Sequence, residues 1–383
     1  MNFRHTIGSL LLGSALPCLG FSELTVHEWG TFTSVHASDG TLLSGLEREE
    51  HRLPGFVRSH LGFAPADKGW SRPVKNVTIK METPVLYFYA EKEMPVTVDV
   101  GFNGGSISQW YPERSGGEKL PISTSIKSLQ ELPPMDFAQG YTGRITWDAL
   151  VLASGSNEKI TANKDWETPQ WPRARVAEAN RVRTPDGAVE GFLFYRGIGR
   201  FEIPFNVIVT ADGALRLHNS GAEKIPFVWV YDNREQAGGR YAWEGSLGQG
   251  EVRKVEQAKV HFGPERTQAL LEPLQAAGIT EAEARAMLAT WQESYFDAPG
   301  LRVFWIVPRA FTDRILPLTI TPAPDKLERV LVGRSEVLTP AFERELADGF
   351  RKDGGVRWTN DRYFLAYRER ARQLGVVLSE NSP

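Results

Sequence analysis

The chain has 383 residues, 47 acidic and 44 basic, for a formal net charge of -3. So even a balance, with no basic stripe, excludes electrostatic capture of nucleic acid as its main task. Its single cysteine lies at position 18, so the body of the protein has no disulfide, thiol nucleophile or sulfur-rich metal site, and its stability must come from core burial.

Residues 1–22 read as a cleavable export signal. Arg4 and His5 form a short positive start, Thr6 to about Leu19 is apolar, and Gly20 and Ser22 suit cleavage after Ser22. The apolar stretch falls short of the roughly 20 residues that span a bilayer. Pro17 argues against a core helix and, directly before Cys18, against a lipid-attachment cysteine. Losing Arg4 takes the charge to -4, and no later segment is apolar enough to cross a membrane. The expected location is therefore periplasmic or extracellular.

The mature chain opens on Leu24-Thr25-Val26-His27-Glu28-Trp29-Gly30-Thr31-Phe32, the first strand. Strand alternation puts His27 and Glu28 on opposite faces. The middle of the chain reads as β, in two groups of alternating runs. One comprises Val74 to Ala90, Met94 to Phe102 and Ser106 to Tyr111; the other comprises Val189 to Tyr195, Ile203 to Thr210, Ala214 to Asn219 and Pro226 to Asp232. Asn103-Gly104 and Asp212-Gly213 have hairpin chemistry. The groups resemble each other: Leu86-Tyr87-Phe88-Tyr89 matches Phe192-Leu193-Phe194-Tyr195, and Met94-Pro95-Val96 matches Ile203-Pro204-Phe205. Phe304 to Val307 followed by Leu316 to Ile320 is a fainter third copy, so sandwich-like layers with an internal repeat are expected. Gln109 to Arg144 and Ser154 to Pro185 read as loop.

Helices enter late. One runs from Gly263-Pro264 to Gly278, and Thr280 with Glu283 forms the capping box of a second, whose apolar face is Met287, Trp291 and Tyr295. Strands return at Leu301 to Val307, Ile315 to Thr321 and Arg329 to Leu338. Thr339-Pro340 opens a third helix, and Asn360 caps a last one ending at Gly375. The division is a signal at 1–22, a β-rich region at 23–260 that divides into two sandwich-like units, and a mixed helix/strand region at 261–383. The fold class is mainly β, α+β overall.

Candidate chemistry is sparse. There is no Gly-x-Ser-x-Gly elbow in the mature chain, no phosphate-binding glycine loop and no His-Glu-x-x-His. Four histidines lie between His27 and His60, and a divalent metal held by His27 with His51 or Glu82 is one reading, against His27 simply hydrogen-bonded at a sheet edge. Glu47 to His51 reads as a solvated helical turn. Glu28 and Glu82 are the first pair to consider for acid–base work, because both sit in apolar β context where burial raises a carboxyl pKa. Eleven tryptophans supply flat faces with a polar handle. Trp110, Tyr111 and Trp171, in loops and at strand ends, are candidate sugar-stacking platforms. Arg309 with Asp313, and Arg334 with Glu336, read as structural ion pairs or as a fork for an anionic ligand.

His27 to Thr33, Met81-Glu82-Thr83-Pro84-Val85, and Val307-Pro308-Arg309 through Val332-Gly333-Arg334 together resemble a family of uncharacterised exported bacterial proteins, over most of the mature chain. That family has no established activity, so the resemblance implies an envelope setting and no catalytic residue. The leading expectation is recognition or processing of an extracellular carbohydrate or envelope polymer. The alternatives are a metal-dependent enzyme using His27 and nearby carboxylates, and an interaction protein with no small-molecule site.

Overall fold

The structure, a computed structural model, describes residues 23–378 except 49–52, 61–72, 121–132, 163–167, 169, 236–237 and 264. Residues 1–22, expected to be an export signal, and His51 lie outside the described residues. Strand content of 39% against 21% helix makes the protein mainly β with a helical C-terminal part. No helix among the described residues is long and apolar enough to cross a membrane.

The principal strands are β1 (Leu24–His36), β2 (Ile79–Met81), β3 (Val85–Ala90), β4 (Met94–Asn103), β5 (Gly105–Tyr111), β6 (Thr142–Val151), β7 (Leu193–Gly199), β8 (Ile225–Asp232), β9 (Leu301–Ile306) and β10 (Lys326–Val337). The helices are α1 (Gln170–Ala174), α2 (Gln268–Ala276), α3 (Glu281–Trp291), α4 (Arg309–Ile315), α5 (Pro340–Asp353) and α6 (Phe364–Gln373). A ten-stranded sheet runs β8, β9, β10, β1, β2, β7, β5, with β3 also bridging β1 and β7 and short strands at both edges. β1 and β10 lie parallel at its centre, Thr25 beside Lys326 through His36 beside Val337. Both are buried along most of their length because both faces are covered.

One face of this sheet, bearing Leu24, Val26 and Phe32, packs on a six-stranded sheet built around β4 and β6 and on a three-stranded sheet that includes Phe205–Val209 and Leu215–Asn219. The other face carries helices. Trp29, Tyr87 and Phe304 pack under α2 and α3, and Val35 and Ile198 pack under α5 and α6. We call this the helical face. Close approaches explain two glycines of the β1 and β10 motifs: a Cβ on Gly30 would lie 2.8 Å from the backbone of Pro84, and one on Gly333 2.2 Å from the Trp305 ring.

Several boundaries differ from expectation. Asp212-Gly213 closes a true hairpin, Phe205–Val209 pairing with Leu215–Asn219. Asn103-Gly104 does not: β4 pairs with β6 and β5 pairs with β7, so the turn carries the chain from one sheet to another. The three look-alike units share that habit. In each the first strand (β3, β7 or β9) lies in the large sheet, and the second lies in a layer across the core. Thr142–Val151, the centre of the second sheet, falls partly in the expected loop Gln109 to Arg144 and was not expected as a strand. The capping box of α3 is present, and Thr339 caps α5. Asn360 does not cap α6, which starts after Tyr363 with no side-chain cap, while Asp361 accepts from the Tyr363 amide at 2.7 Å.

Candidate functional site

Between the two helical packing clusters, the helical face of the sheet turns polar. Arg302 on β9 lies opposite Glu336 on β10; Arg334 stands beside Thr33 of β1; Thr33 lies opposite Lys80 of β2; and Arg196 of β7 lies opposite Gln109 of β5. With Glu82 just past β2, these side chains form a buried belt across six strands. Charged groups this deep are costly unless paired and hydrogen-bonded, and the belt is dense with such bonds.

Glu336 is the hub. Its Oε1 accepts from Arg302 Nε at 2.7 Å, Arg334 Nε at 2.8 Å and Tyr363 OH at 3.4 Å, and Arg362 Nη2 lies 3.8 Å away. Burial alone would raise its pKa, but Arg302 and Arg334 outweigh burial and hold it below the usual carboxylate range. Arg302 is anchored further by the carbonyls of Tyr295, Ala298 and Pro299, and the Arg334 guanidinium lies 4.0 Å above the Tyr295 ring. Further along, Lys80 Nζ pairs with Glu82 at 3.0 Å, and Arg196 Nε donates to Gln109 at 2.6 Å.

A cleft of about 510 Å³ opens at the Glu336 end, lined by Arg302, Glu336, Asp361, Arg362, Tyr363 and Arg234 among others. Its size is that of a small-molecule site. Asp361 has a raised pKa, first through burial and then through the charge of Glu336. At the Glu82 end, beyond Tyr295, lies a smaller cavity of about 90 Å³ walled by Trp29, Trp171, Phe192, Phe194, Trp291 and Tyr295.

The expected site residues scatter over these features. Arg334 pairs with Glu336, as its spacing indicates, and is fully buried. Arg309 pairs with Asp313 at 2.9 Å as the first residue of α4, on the surface and away from the cleft. Glu28 and Glu82 do not converge. Glu28 faces the sheet-packed side, accepting from Arg329 Nε at 2.6 Å and Tyr195 OH at 2.7 Å, while Glu82 lies on the helical face by the aromatic cavity. The acid–base pair is therefore withdrawn: strand parity separates the two carboxylates, and a buried arginine occupies one of them.

His27 Nδ1 lies 2.9 Å from Glu283, which also accepts from Tyr89 OH and from the Thr280 amide. The capping carboxylate of α3 thus ties the helix to β1. Among the described residues no three His, Cys, Asp or Glu side chains gather as metal ligands.

Trp110, Tyr111 and Trp171 are not open platforms. All three are buried: Trp110 lies under Arg114 and against His60, and Tyr111 and Trp171 pack on each other and on Phe56. Trp171 also donates to Glu190 at 3.1 Å.

Arg302, Asp361 and Arg362 were missed. Arg302 carried a readable signal, an arginine at an even position of Leu301-Arg302-Val303-Phe304-Trp305-Ile306, a run apolar enough to be buried on both faces. Asp361 and Arg362 lie in irregular chain and carry no pattern.

No family model and no curated protein matches the chain. Among solved structures it is similar to the yeast delta-COP-I mu-homology domain complexed with a Dsl1 WxWxV peptide, at 6% identity and TM-score 0.29, over 84% of this chain and all of that one. It is also similar to the Danio rerio Fcho1 mu homology domain with a bound Eps15 peptide, at 9% identity and TM-score 0.28, over 83% of this chain and 95% of that one. At those scores neither fold nor ligand carries over.

Proposed function

We propose that this is an exported bacterial protein of the resembling family, which binds an anionic group of an extracellular carbohydrate or envelope polymer in the 510 Å³ cleft. The observation that carries the reading is the gathering of three guanidinium groups, those of Arg302, Arg334 and Arg362, around the single carboxylate of Glu336 where the cleft meets the sheet. Arginine presents a planar fork to carboxylate and phosphate oxygens. Arg302 and Glu336 fix the position of Arg334, Arg362 stands on the cleft wall to meet the ligand, and Arg234, whose guanidinium is held by Asp232, lies in the same wall. Tyr363 and Tyr367 supply flat, partly apolar surface for a ring that carries the charge. The signal-like residues 1–22 support export.

The test is a thermal-shift and calorimetric screen of the mature protein against uronic-acid oligosaccharides, glycerol-phosphate oligomers and neutral glucans. The reading expects binding only to charged members, weakened about tenfold or more by Arg362→Gln, the loss of one charge-assisted pair. Equal binding of neutral glucans, or affinity indifferent to Arg362, would refute it.

A further inference from the structure

The aromatic cavity is a second, chemically different place. It sits on the helical face between β1, β3 and β7 on one side and α1 and α3 on the other. Trp29 and Trp291, each only 1% exposed, contribute to its walls, and neither indole N–H finds an acceptor among the described residues. The hydroxyls of Thr83 and Thr168, also in its lining, have no partner among the described residues either. An unmade hydrogen bond on a buried group costs about 1–3 kcal/mol, and native proteins leave few such groups. Four around one small cavity is a concentration that packing alone does not explain: two neighbouring aromatics of the same walls satisfy theirs, Trp171 on Glu190 and Tyr295 on Thr31.

We infer that this cavity binds a small neutral ring compound that carries a hydrogen-bond acceptor oxygen, independently of the anion cleft. Each element of that description follows from the walls. Trp29, Trp171, Phe192, Phe194, Trp291 and Tyr295 favour a flat apolar body. Indole N–H is a donor only, so the ligand must bring acceptors, and the two threonine hydroxyls can serve either way. In the lining Glu82 is paired with Lys80 and Arg196 donates to Gln109, and the donors that call for a ligand, the two indoles, are neutral, which favours an acceptor oxygen on an uncharged ring. A volume of about 90 Å³ admits one ring with one or two small substituents and excludes a disaccharide.

The experiment uses the ¹⁵N-labelled mature protein and follows its indole N–H signals, assigned with Trp291→Phe and Trp29→Phe. The probes are acetophenone, which has an acceptor, ethylbenzene, which has none, and benzoate, which is charged. Acetophenone should move the Trp29 and Trp291 indole signals downfield saturably. Ethylbenzene should bind without that displacement, and benzoate should bind more weakly than acetophenone. Trp291→Phe should weaken acetophenone about five- to tenfold and leave ethylbenzene unchanged. Thr168→Val gives the same readout if a tryptophan variant does not fold. Filling the cavity with Ala174→Leu should abolish binding of both neutral probes while the response to anionic oligosaccharides persists, which separates this proposal from the cleft reading. No saturable indole displacement by acetophenone, or displacement that survives Ala174→Leu, overturns it.

Discussion

Replacing Glu336 by glutamine keeps shape and one acceptor but removes the negative charge that Arg302 and Arg334 share. Both guanidinium groups are essentially inaccessible, and Glu336 itself is 7% exposed. Arg302 keeps three backbone carbonyls, whereas Arg334 keeps the Ser294 carbonyl at 3.3 Å and the face of Tyr295. Breaking a buried pair from one side typically costs about 3–5 kcal/mol, because a buried charge loses its counter-charge. With an unfolding entropy of about 2.1 cal/mol/K per residue over roughly 360 residues of the folded body, that corresponds to a fall in Tm of about 4–7 °C. Differential scanning calorimetry at pH 7 reads it directly. A Glu336→Gln protein that melts within about 1 °C of the parent would refute the burial argument, since it would mean that water already screens the cluster.

Other consequences can be checked alongside. His36 is fully buried, and burial lowers its pKa to about 4. The unfolded chain therefore takes up a proton there below about pH 6.5 while the folded chain does not until pH 4, so stability falls across that window by about 3 kcal/mol; His36→Gln should flatten that part of a pH-dependent urea denaturation series. The Glu336 contribution is present above the ordinary carboxylate range and is lost only as pH falls through its lowered folded value, which steepens the decline below about pH 4.3. Protonating Asp361 removes a negative charge from the cleft, so anion affinity should rise as pH falls through its raised pKa, and Asp361→Asn should abolish that dependence in a calorimetric series run from neutral pH down into the acid range. Gly333→Ala drives a methyl into the Trp305 ring and should destabilise by about 1–3 kcal/mol in denaturant titration, with no effect expected on the cleft itself.

What was legible in the sequence was local. Alternation located most of the strands, and the capping box and Thr339-Pro340 located two helices, because those signals are contained within a few residues. The Arg334–Glu336 pair was visible for the same reason, two residues apart on one strand face. The partners that decide the other candidates are remote in the chain: Arg329 lies 301 residues from Glu28, and Glu283 lies 256 residues from His27. Spacing could separate His27 from Glu28 but could not say what each would meet. The aromatic residues read as binding platforms because they fell in loops and at strand ends, and the fold buries Tyr111 and Trp171 on the helical face and Trp110 on the opposite face. The Asn103-Gly104 turn shows the same limit. Its chemistry is that of a hairpin, and only the pairing of β4 with β6 makes it a crossing between sheets.

The most direct test of the central claim is a crystal structure of the mature protein grown with the tightest-binding charged oligosaccharide from the screen. The account predicts its carboxylate or phosphate oxygens within hydrogen-bond distance of the Arg362 guanidinium, in the cleft beside Arg302 and Glu336. A ligand seated elsewhere, or one that enters the cleft with its charged group turned away from the arginines, would contradict it.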